Sequence, residues 1–300
     1  MQVSEPLVWI PFEVDDLPSG LRYEIVADPA GQLPASVAEV AGYVLPYRFE
    51  PGDSAFLGQA PQLRWVQSLT AGVEHLEGRI PIGVTLCTGR GIHSASTAEL
   101  ALALMLSSLR GIPEFVQAQA RQEWESLERP ALADRTVLII GYGDIGAAIE
   151  RRLLPFEVEV IRVARTARAG VHALEELPAL LPRADVVVLV VPLTDATRHL
   201  VDADFIAQMR PGALLVNVAR GAVVDTDALV AALHAGRISA ALDVTDPEPL
   251  PAGHPLWSAP RVLVSPHVGG PSSAFGPRAE RLIREQLQRF ARDEPLKNVV

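Results

Sequence analysis

Short runs of consecutive apolar residues recur through the second half of the chain and form its clearest pattern. They fall at residues 136–140, 158–164, 185–191, 213–219, 238–244 and 262–266. Short runs that are apolar at nearly every position are typical of strands buried on both faces of a parallel sheet. Helical patterns separate them, including residues 147–154 and 172–181. The alternation predicts a doubly wound α/β sheet across residues 136–266.

The first ninety residues contain shorter apolar runs, which Pro and Gly residues interrupt. These runs fall at residues 7–10, 41–46 and 63–69. We interpret them as buried strands that alternate with short helices, so the α/β class extends to the N-terminal part of the chain.

A long apolar helix is predicted between these two parts. It begins at residues 97–99, with Thr97 or Ser96 as its N-cap, and its pattern continues to Leu109. A polar helical segment follows and is predicted to end near residues 129–130, with Trp124 among many charged side chains. Such a segment is typical of an exposed arm or a subunit contact.

Composition and charge narrow the class of protein. Apolar residues make up 49% of the 300 residues, which is typical of an ordered globular chain. The chain has a formal charge of −10 and no run of five residues of like charge. An acidic chain of this kind lacks the basic surface that binds nucleic acid. The one cysteine, Cys87, excludes an intrachain disulfide and a cysteine-built metal site. We therefore predict no metal, and we expect a cytoplasmic location.

The sequence also gives no sign of membrane insertion. Its N-terminus lacks the basic region of a signal peptide. The longest strongly apolar stretch, residues 100–106, is too short to span a bilayer and is interpreted as part of a buried helix. We expect no contact with a membrane.

Three glycines between the strand at residues 136–140 and the next helix form a Gly-x-Gly-x-x-Gly pattern. Gly141 permits a tight turn, Gly143 lets the backbone approach a pyrophosphate, and Gly146 allows close helix–strand packing. The helix N-terminus at Asp144 and Ile145 offers N–H groups to phosphates. The alternative is a purely structural turn. The position of the glycines between a strand and a helix favours a dinucleotide site.

The end of the second strand indicates which dinucleotide is bound. An acidic residue there would bind the ribose 2′-hydroxyl of NAD, but Glu159 lies near the start of the strand. The strand instead ends at Arg165, Thr166 and Arg168, and arginines can pair with a 2′-phosphate. We predict NADP(H) in preference to NAD(H), with Arg165 and Thr166 as main contacts and Arg168 as a helper. The alternative is that these arginines form a solvated turn.

Polar residues follow three of the predicted strands where each strand ends, which is where doubly wound sheets bind ligands. They include Arg220, Glu248 and His267. An arginine can bind a carboxylate and polarise a carbonyl, a histidine can transfer a proton, and a carboxylate can orient that histidine. Taken singly, the arginine could cap a turn, the glutamate could be solvated, and the histidine could be buried and satisfied. Their joint occurrence favours the reduction of a keto acid.

These motifs resemble one family over nearly the whole chain, the D-isomer-specific 2-hydroxyacid dehydrogenases. The similar segments are residues 69–75 (LTAGVEH), 97–99 (TAE), 141–146 (GYGDIG), 191–194 (VPLT), 217–221 (NVARG), 243–250 (DVTDPEPL), 265–270 (SPHVGG) and 294–299 (EPLKNV).

The resemblance implies two doubly wound parallel-sheet domains. A flavodoxin-like substrate domain, residues 1–96 plus 269–300, would contain an inserted Rossmann cofactor domain, residues 97–268. The cleft between them would close on the substrate. It also implies a homodimer that pairs through the long helix and the arm near Trp124.

The resemblance further assigns roles to residues. It makes Arg220, Glu248 and His267 the catalytic set, with Arg220 and His267 also contacting substrate. The backbone N–H groups of Ala71, Gly72 and Val73 would bind the substrate carboxylate. Asp243 would hold the nicotinamide carboxamide, and the remaining cofactor contacts would be Val191, Pro192, Thr197, Val218, Ala219 and Gly269.

The reaction so implied is D-stereospecific hydride transfer between NADP(H), or NAD(H), and a small 2-keto/2-hydroxy acid resembling glyoxylate or hydroxypyruvate. Two alternatives remain: a cofactor-sensing binding protein of the corepressor type, and a formate or phosphite dehydrogenase. Thr70, Glu74 and Thr245 depart from the commoner residues of the family, and the loop at residues 46–49 has no typical form. These departures affect the choice of substrate.

Overall fold

A computed structural model describes residues 5–48 and 51–300 of the chain. Its described residues form two compact units: those up to His93 together with Ser273–Val300, and Ser94–Ser272. The sequence placed the two boundaries after residues 96 and 268. Phe49, in the loop that the sequence could not match to the family, lies outside the described residues.

The first unit contains a parallel sheet with the strand order β2-β1-β3-β4-β5. Its strands are β1 (Leu7–Ile10), β2 (Arg22–Ile25), β3 (Val40–Val44), β4 (Trp65–Gln67) and β5 (Thr85–Cys87). This is the flavodoxin-like order. The predicted runs at residues 7–10, 41–46 and 63–69 match β1, β3 and β4, which are fully buried. The hydrophobic pattern does not reveal β2 and β5, because an edge strand carries exposed or half-buried positions.

The second unit contains a parallel sheet with the strand order β12-β11-β10-β9-β6-β7-β8. Its strands are β6 (Thr136–Ile140), β7 (Glu159–Ala164), β8 (His172–Ala173), β9 (Val186–Leu189), β10 (Leu214–Asn217), β11 (Ser239–Leu242) and β12 (Val262–Val264). The first six strands follow the Rossmann order, and a seventh is added beside the sixth. The predicted fold class of two doubly wound α/β sheets is confirmed.

Seven α-helices lie within the described residues. They are α1 (Ser94–Arg110), α2 (Ile112–Ala120), α3 (Asp144–Leu153), α4 (Leu177–Leu180), α5 (Ala203–Gln208), α6 (Thr226–His234) and α7 (Phe275–Ala291). The short helices predicted among the first strands are single turns of 3-10 helix in this part of the structure. They lie at Ala35–Ala38, Pro51–Ser54, Leu57–Gln59 and Glu74–Leu76.

Successive residues of each central strand in the second unit pack on opposite faces of the sheet. Val137 and Ile139 join the core that α1 and α3 cover, whereas Leu138 and Ile140 join the core beneath α5 and α6. Because both faces are buried, every position is apolar, which explains the continuous apolar runs in the sequence. In the first unit, α7 packs residues such as Leu282 and Ile283 against the sheet.

The long helix α1 begins at Ser94, so the predicted start at Thr97 is wrong. Thr97 is buried inside the helix and donates a hydrogen bond to the carbonyl of Gly269, 3.2 Å away, instead of capping the N-terminus. The predicted end is confirmed, since α1 stops at Arg110 and Gly111 adopts a φ of +65°.

Two further predicted helices are shorter than the sequence suggests. The polar segment after α1 is helical only to Ala120, because its side chains have little apolar surface to pack; Trp124 beyond it is 97% exposed. Residues 172–181 form β8, a 3-10 turn and the single turn α4. Pro178 and Pro182 break this stretch, since proline cannot donate the backbone bond that an α-helix requires.

Two observations bear on membranes and metals. Within residues 5–48 and 51–300, no helix combines the length and the apolar character needed to cross a bilayer. The same ranges contain no group of three or more His, Cys, Asp or Glu side chains arranged to hold a metal ion.

Candidate active site

The parallel strands of the second unit bring the predicted polar residues to one edge of the sheet. The glycine turn follows β6, Arg220 follows β10, Glu248 lies in the loop after β11, and His267 follows β12. Because β10, β11 and β12 are neighbours, three loops that are distant in sequence lie side by side.

His267 and Glu248 form a direct hydrogen bond, with 2.5 Å between Nδ1 and Oε1. This bond raises the pKa of His267 and outweighs both its burial and the opposing charge of Arg220. Burial acts to raise the pKa of Glu248, but the hydrogen bond and charge of His267, with a smaller effect of Arg220, leave it lowered. The pair therefore favours a protonated imidazole beside an ionised carboxylate, and Arg220 lies close enough to act on both.

Asn217 fixes the turn that presents Arg220. Its side chain is 1% exposed at the end of β10. The amide nitrogen donates to the Arg220 carbonyl at 2.9 Å, and the amide oxygen accepts from the Ala219 N–H at 3.0 Å. The Arg220 guanidinium in turn donates to the Ala219 carbonyl at 2.7 Å. Asn217 lies in the NVARG segment, but the sequence did not identify it as a positioning residue.

Gly221 allows the loops after β10 and β11 to touch. A Cβ atom built on Gly221 would overlap the carbonyl oxygen of Thr245 and lie 2.7 Å from the Asp246 nitrogen. The hydroxyl of Thr226 also donates to the Asp246 carbonyl at 2.8 Å, which holds the second loop in place. Any larger residue at position 221 therefore pushes Arg220 and Glu248 apart.

Asp243 holds the loop that carries His267. Its carboxylate is 3% exposed and accepts hydrogen bonds from Ser265 Oγ at 2.6 Å and from the N–H groups of Val268 and Gly269 at 2.9 Å. The His267 N–H donates to the Asp243 carbonyl at 2.8 Å. These bonds stabilise a φ of +52° at His267, a strained conformation for a residue with a side chain.

The glycine turn has the geometry of a phosphate cradle. Gly141 adopts a φ of +103°, and a Cβ there would lie 2.5 Å from the Val190 carbonyl, so the turn packs against the end of β9. A Cβ on Gly146 would overlap the Gly141 carbonyl oxygen. A Cβ on Gly143 would meet no atom within 4 Å, so the space in front of the N-terminus of α3 is open. The turn fits a dinucleotide at the switch point between β6 and β9.

Comparisons with known proteins match this architecture. The family model of the D-isomer specific 2-hydroxyacid dehydrogenase NAD binding domain matches residues 102–269. The human glyoxylate reductase/hydroxypyruvate reductase is 34% identical over 287 residues, which cover 89% of this chain and 86% of the human protein. The chain belongs to the D-isomer-specific 2-hydroxyacid dehydrogenases.

Solved structures agree with this assignment. A D-isomer specific 2-hydroxyacid dehydrogenase from Xanthobacter autotrophicus, in complex with NADPH and MES, is 33% identical with a TM-score of 0.82 and covers 99% of this chain and 98% of its own. A Granulicella formate dehydrogenase is 26% identical with a TM-score of 0.76, covering 94% and 80%. This dehydrogenase is therefore an enzyme that uses a nicotinamide cofactor.

A polar network behind the glycine turn of this dehydrogenase is not visible in the sequence. Glu150, on α3 and 5% exposed, forms a close ion pair with Arg162 of β7 and a close hydrogen bond with the Tyr142 hydroxyl. Arg162 and Arg168 lie 5.7 and 5.8 Å from the Tyr142 ring centroid, and Arg168 donates to the Tyr142 carbonyl at 2.6 Å. The ion pair with Glu150 neutralises the charge of Arg162, whereas Arg168 lies beside the glycine turn.

The end of β7 in the dehydrogenase carries no carboxylate. The strand ends at Ala164, and Arg165 and Thr166 follow as exposed residues. Glu159 lies at the opposite end of the strand, where it is paired in register with Thr136 at the start of β6. The arginine-rich end of β7 and the open turn thus share one edge of the sheet.

The other residues predicted to contact the cofactor follow β9 and β10. Val191, Val218 and Ala219 are buried, whereas Pro192 is exposed. The buried Thr197 hydroxyl donates to the Pro192 carbonyl at 2.6 Å, so this side chain holds the loop after β9.

The segment predicted to bind the substrate carboxylate lies in the first unit, after β4. Thr70 organises it: its hydroxyl donates to the Gly72 carbonyl at 2.7 Å, and its N–H donates to Ser68 Oγ at 3.1 Å. Ala71 is exposed, and Gly72 and Val73 are half-buried.

Two glycine variants separate folding from ligand binding. We expect Gly221→Ala to lower the free energy of unfolding by about 1–3 kcal/mol, because its Cβ overlaps the Thr245 carbonyl. Gly143→Ala adds the same atom where nothing lies within 4 Å, so its stability should change by less than about 0.5 kcal/mol. Its cofactor affinity should fall, because the methyl group enters the open space. Urea unfolding and cofactor titration measure both effects, and equal stability of the two variants would contradict the packing argument.

Proposed function

We propose that this dehydrogenase transfers a hydride between NADP(H) and a small 2-keto/2-hydroxy acid of the glyoxylate or hydroxypyruvate class, and that it forms the D isomer where the hydroxy acid is chiral. The observation that carries the proposal is the 2.5 Å hydrogen bond between His267 and Glu248, which lies within the electrostatic reach of Arg220. The names of the human relative and of the NADPH-bound structure support the substrate and cofactor classes.

In the proposed reduction, His267 supplies the proton. Its Nδ1 is bonded to Glu248, so Nε2 is the ring nitrogen that remains to donate to the carbonyl oxygen of the substrate. Glu248 stabilises the imidazolium before transfer, and the neutral imidazole accepts the proton in the reverse direction. A nicotinamide cofactor held at the Gly141–Gly146 turn would supply the hydride chemistry.

Arg220 binds the substrate in this proposal. Its guanidinium pairs with the carboxylate and polarises the carbonyl that is reduced. The bonds made by Asn217 and Asp243 keep Arg220 and His267 in a fixed geometry, so little reorganisation is needed when substrate binds.

Two other activities are outcomes of the test. Formate oxidation is favoured by the likeness to the Granulicella enzyme. Oxidation of formate yields carbon dioxide and requires no proton transfer, so this reaction would not use the His267–Glu248 pair as an acid or base. A cofactor-sensing binding protein would bind the dinucleotide without turnover.

The proposal is tested with a panel of 2-keto acids, including glyoxylate and hydroxypyruvate, and with formate. His267→Ala should lower kcat for keto-acid reduction about 10²–10⁴-fold, because general acid catalysis is lost. A matched control is His172→Ala, which removes the histidine of an exposed His–Glu pair on β8 and should leave kcat unchanged. Turnover of formate alone, no turnover at all, or full activity of His267→Ala would contradict the proposal.

We further propose that NADP(H) is the preferred cofactor. No carboxylate lies at the end of β7 to bind a ribose 2′-hydroxyl, whereas Arg165 is exposed there and Arg168 is held at the glycine turn. Thr166 adds a hydroxyl between the two arginines. Arg162 is excluded from this role because Glu150 neutralises it.

Replacing Arg165 and Arg168 by Ala tests the cofactor preference. The double variant should raise KM for NADPH at least tenfold and leave KM for NADH nearly unchanged, since hydrogen bonds to charged groups contribute about 1.5–3 kcal/mol each. Arg183→Ala removes an exposed arginine that pairs with Glu159 and serves as a control. A tenfold preference of the wild type for NADH would contradict the assignment.

We also propose a homodimer. The arm after α1 exposes several large apolar side chains, with exposed fractions of 97% for Trp124, 60% for Val116 and 56% for Leu127. Such a patch is typical of a protein–protein interface, and a second copy of the chain is the proposed partner.

Sedimentation equilibrium tests the dimer. The wild type should sediment at twice the chain mass of 32.2 kDa, and Trp124→Glu should shift the protein to the monomer because it places a charge in the interface. A monomeric wild type, or a variant that remains dimeric, would contradict the proposed interface.

A further inference from the structure

A cavity in the first unit is lined by nine residues, four of which carry positively charged side chains. Its volume is about 240 Å³, several times the roughly 30 Å³ that one water occupies in the liquid. Three chain segments form its walls: residues 90–92, the first turns of α7, and residues 297–298. The buried side chains of Ile92 and Leu282 form its apolar part. The proposed dehydrogenase function uses none of these side chains.

The charges around this cavity are unbalanced. Arg90, Arg278, Arg281 and Lys297 face one carboxylate, Glu285, which forms a close ion pair with Lys297. Arg278 donates to the Ala274 carbonyl at 3.0 Å, and within the described residues neither Arg278 nor Arg281 pairs with a carboxylate. Arg90 has an interaction partner of its own, so the balance is taken over Arg278, Arg281, Lys297 and Glu285, which leaves a formal charge of +2. This excess occurs in a chain whose formal charge is −10 and whose one lysine is Lys297.

The backbone that carries these cations is fixed by buried hydrogen bonds. Gln286, on α7 and fully buried, accepts from the Lys297 N–H at 2.8 Å and donates to the Lys297 carbonyl at 3.0 Å. Asn298 donates to the Arg90 carbonyl at 3.0 Å, and its own carbonyl accepts from Thr88 N–H at 2.9 Å. The C-terminal segment is thereby tied to both other walls. The fold therefore holds the cations near one another despite their mutual repulsion, and a bound anion would reduce that repulsion.

We propose that this cavity binds a small oxyanion with two negative charges, such as a phosphate group. Arginine guanidinium groups bind phosphate and carboxylate oxygens in a bidentate manner, and Lys297 adds a point charge. A dianion neutralises the excess of +2, whereas a monoanion leaves +1. Inorganic phosphate, a phosphate monoester and a small dicarboxylate share this chemistry. The proposal does not depend on the proposed substrate or cofactor.

Isothermal titration calorimetry of the full-length protein tests the site, with inorganic phosphate, malonate and acetate as probes at constant ionic strength. Phosphate or malonate should bind saturably, and acetate should bind at least tenfold more weakly because it carries one charge. Binding of phosphate alone would identify a phosphate site, and equal binding of malonate a general dianion site. At about 10 mM dianion, a site with a Kd of about 1 mM would be about nine-tenths occupied. A wild type that binds neither dianion at that concentration would overturn the proposal.

Variants locate the binding. Arg281→Ala and Lys297→Met should each weaken dianion binding at least fivefold and reduce the rise in Tm that the dianion causes in the wild type. Arg292→Ala removes a cation just beyond α7 that does not line the cavity, so its affinity should match the wild type. Circular dichroism confirms that each variant is folded.

Two further results distinguish this site from the active site. Arg165→Ala removes a cation of the proposed cofactor site and should leave dianion binding unchanged. If Arg165→Ala abolishes the binding while Arg281→Ala and Lys297→Met retain it, the anion occupies the cofactor site and the proposal is wrong. Keto-acid turnover of the Arg281 variant reports on the dehydrogenase function separately, because that residue has no assigned role in it.

Discussion

The hydrogen bond between His267 Nδ1 and Glu248 Oε1 joins two loops that follow neighbouring strands, β11 and β12, and it depends on the backbone around it. The Asp243 carboxylate stabilises the loop of His267 in its strained conformation. Gly221 lets the loop of Arg220 contact the backbone of the Glu248 loop. The charge of the imidazole is therefore set by contacts that the parallel sheet makes possible.

This arrangement also changes the interpretation of Asp243. The family resemblance assigns it to the nicotinamide carboxamide, and its carboxylate here accepts three hydrogen bonds from the loop of His267. An ionised carboxylate has about four acceptor positions, so the two roles are compatible. Under that assignment, Asp243 would link cofactor binding to the position of His267, because both would depend on the same carboxylate.

The sequence predicts those parts of the fold that depend on burial alone. The bounds of β1 and β6 follow from their apolar runs because both strands pack within a core. The helix predicted at residues 172–181 is wrong because its apolar pattern includes Pro178 and is followed directly by Pro182, and neither proline can donate the backbone bond that an α-helix requires. Trp124 and its neighbours look helical by composition, yet Trp124 is 97% exposed and Leu127 56% exposed in the part of the chain that the structure describes.

The candidate site shows the same division. Arg220, Glu248 and His267 can be identified because charged residues at the ends of buried strands interrupt a clear pattern. The contacts that position these three residues cannot be identified from the sequence, because they depend on how close distant segments come in the fold. Glu150 looks like a polar residue on a solvated helix face, and only the fold brings it to Arg162 and Tyr142. The cations of the cavity in the first unit are likewise divided among segments about 190 residues apart.

The pH dependence of kcat/KM for keto-acid reduction tests the central claim, that Glu248 holds His267 in its protonated form. The proposed mechanism requires protonated His267 for reduction, and the pKa of His267 is raised above its usual value of 6.5. Wild-type activity should therefore persist above pH 6.5 and fall only as the pH rises through this higher pKa. In Glu248→Gln the fall should move to lower pH, because the negative partner is lost. An inflection at the same pH in both proteins, or a wild-type inflection at or below 6.5, would contradict the account.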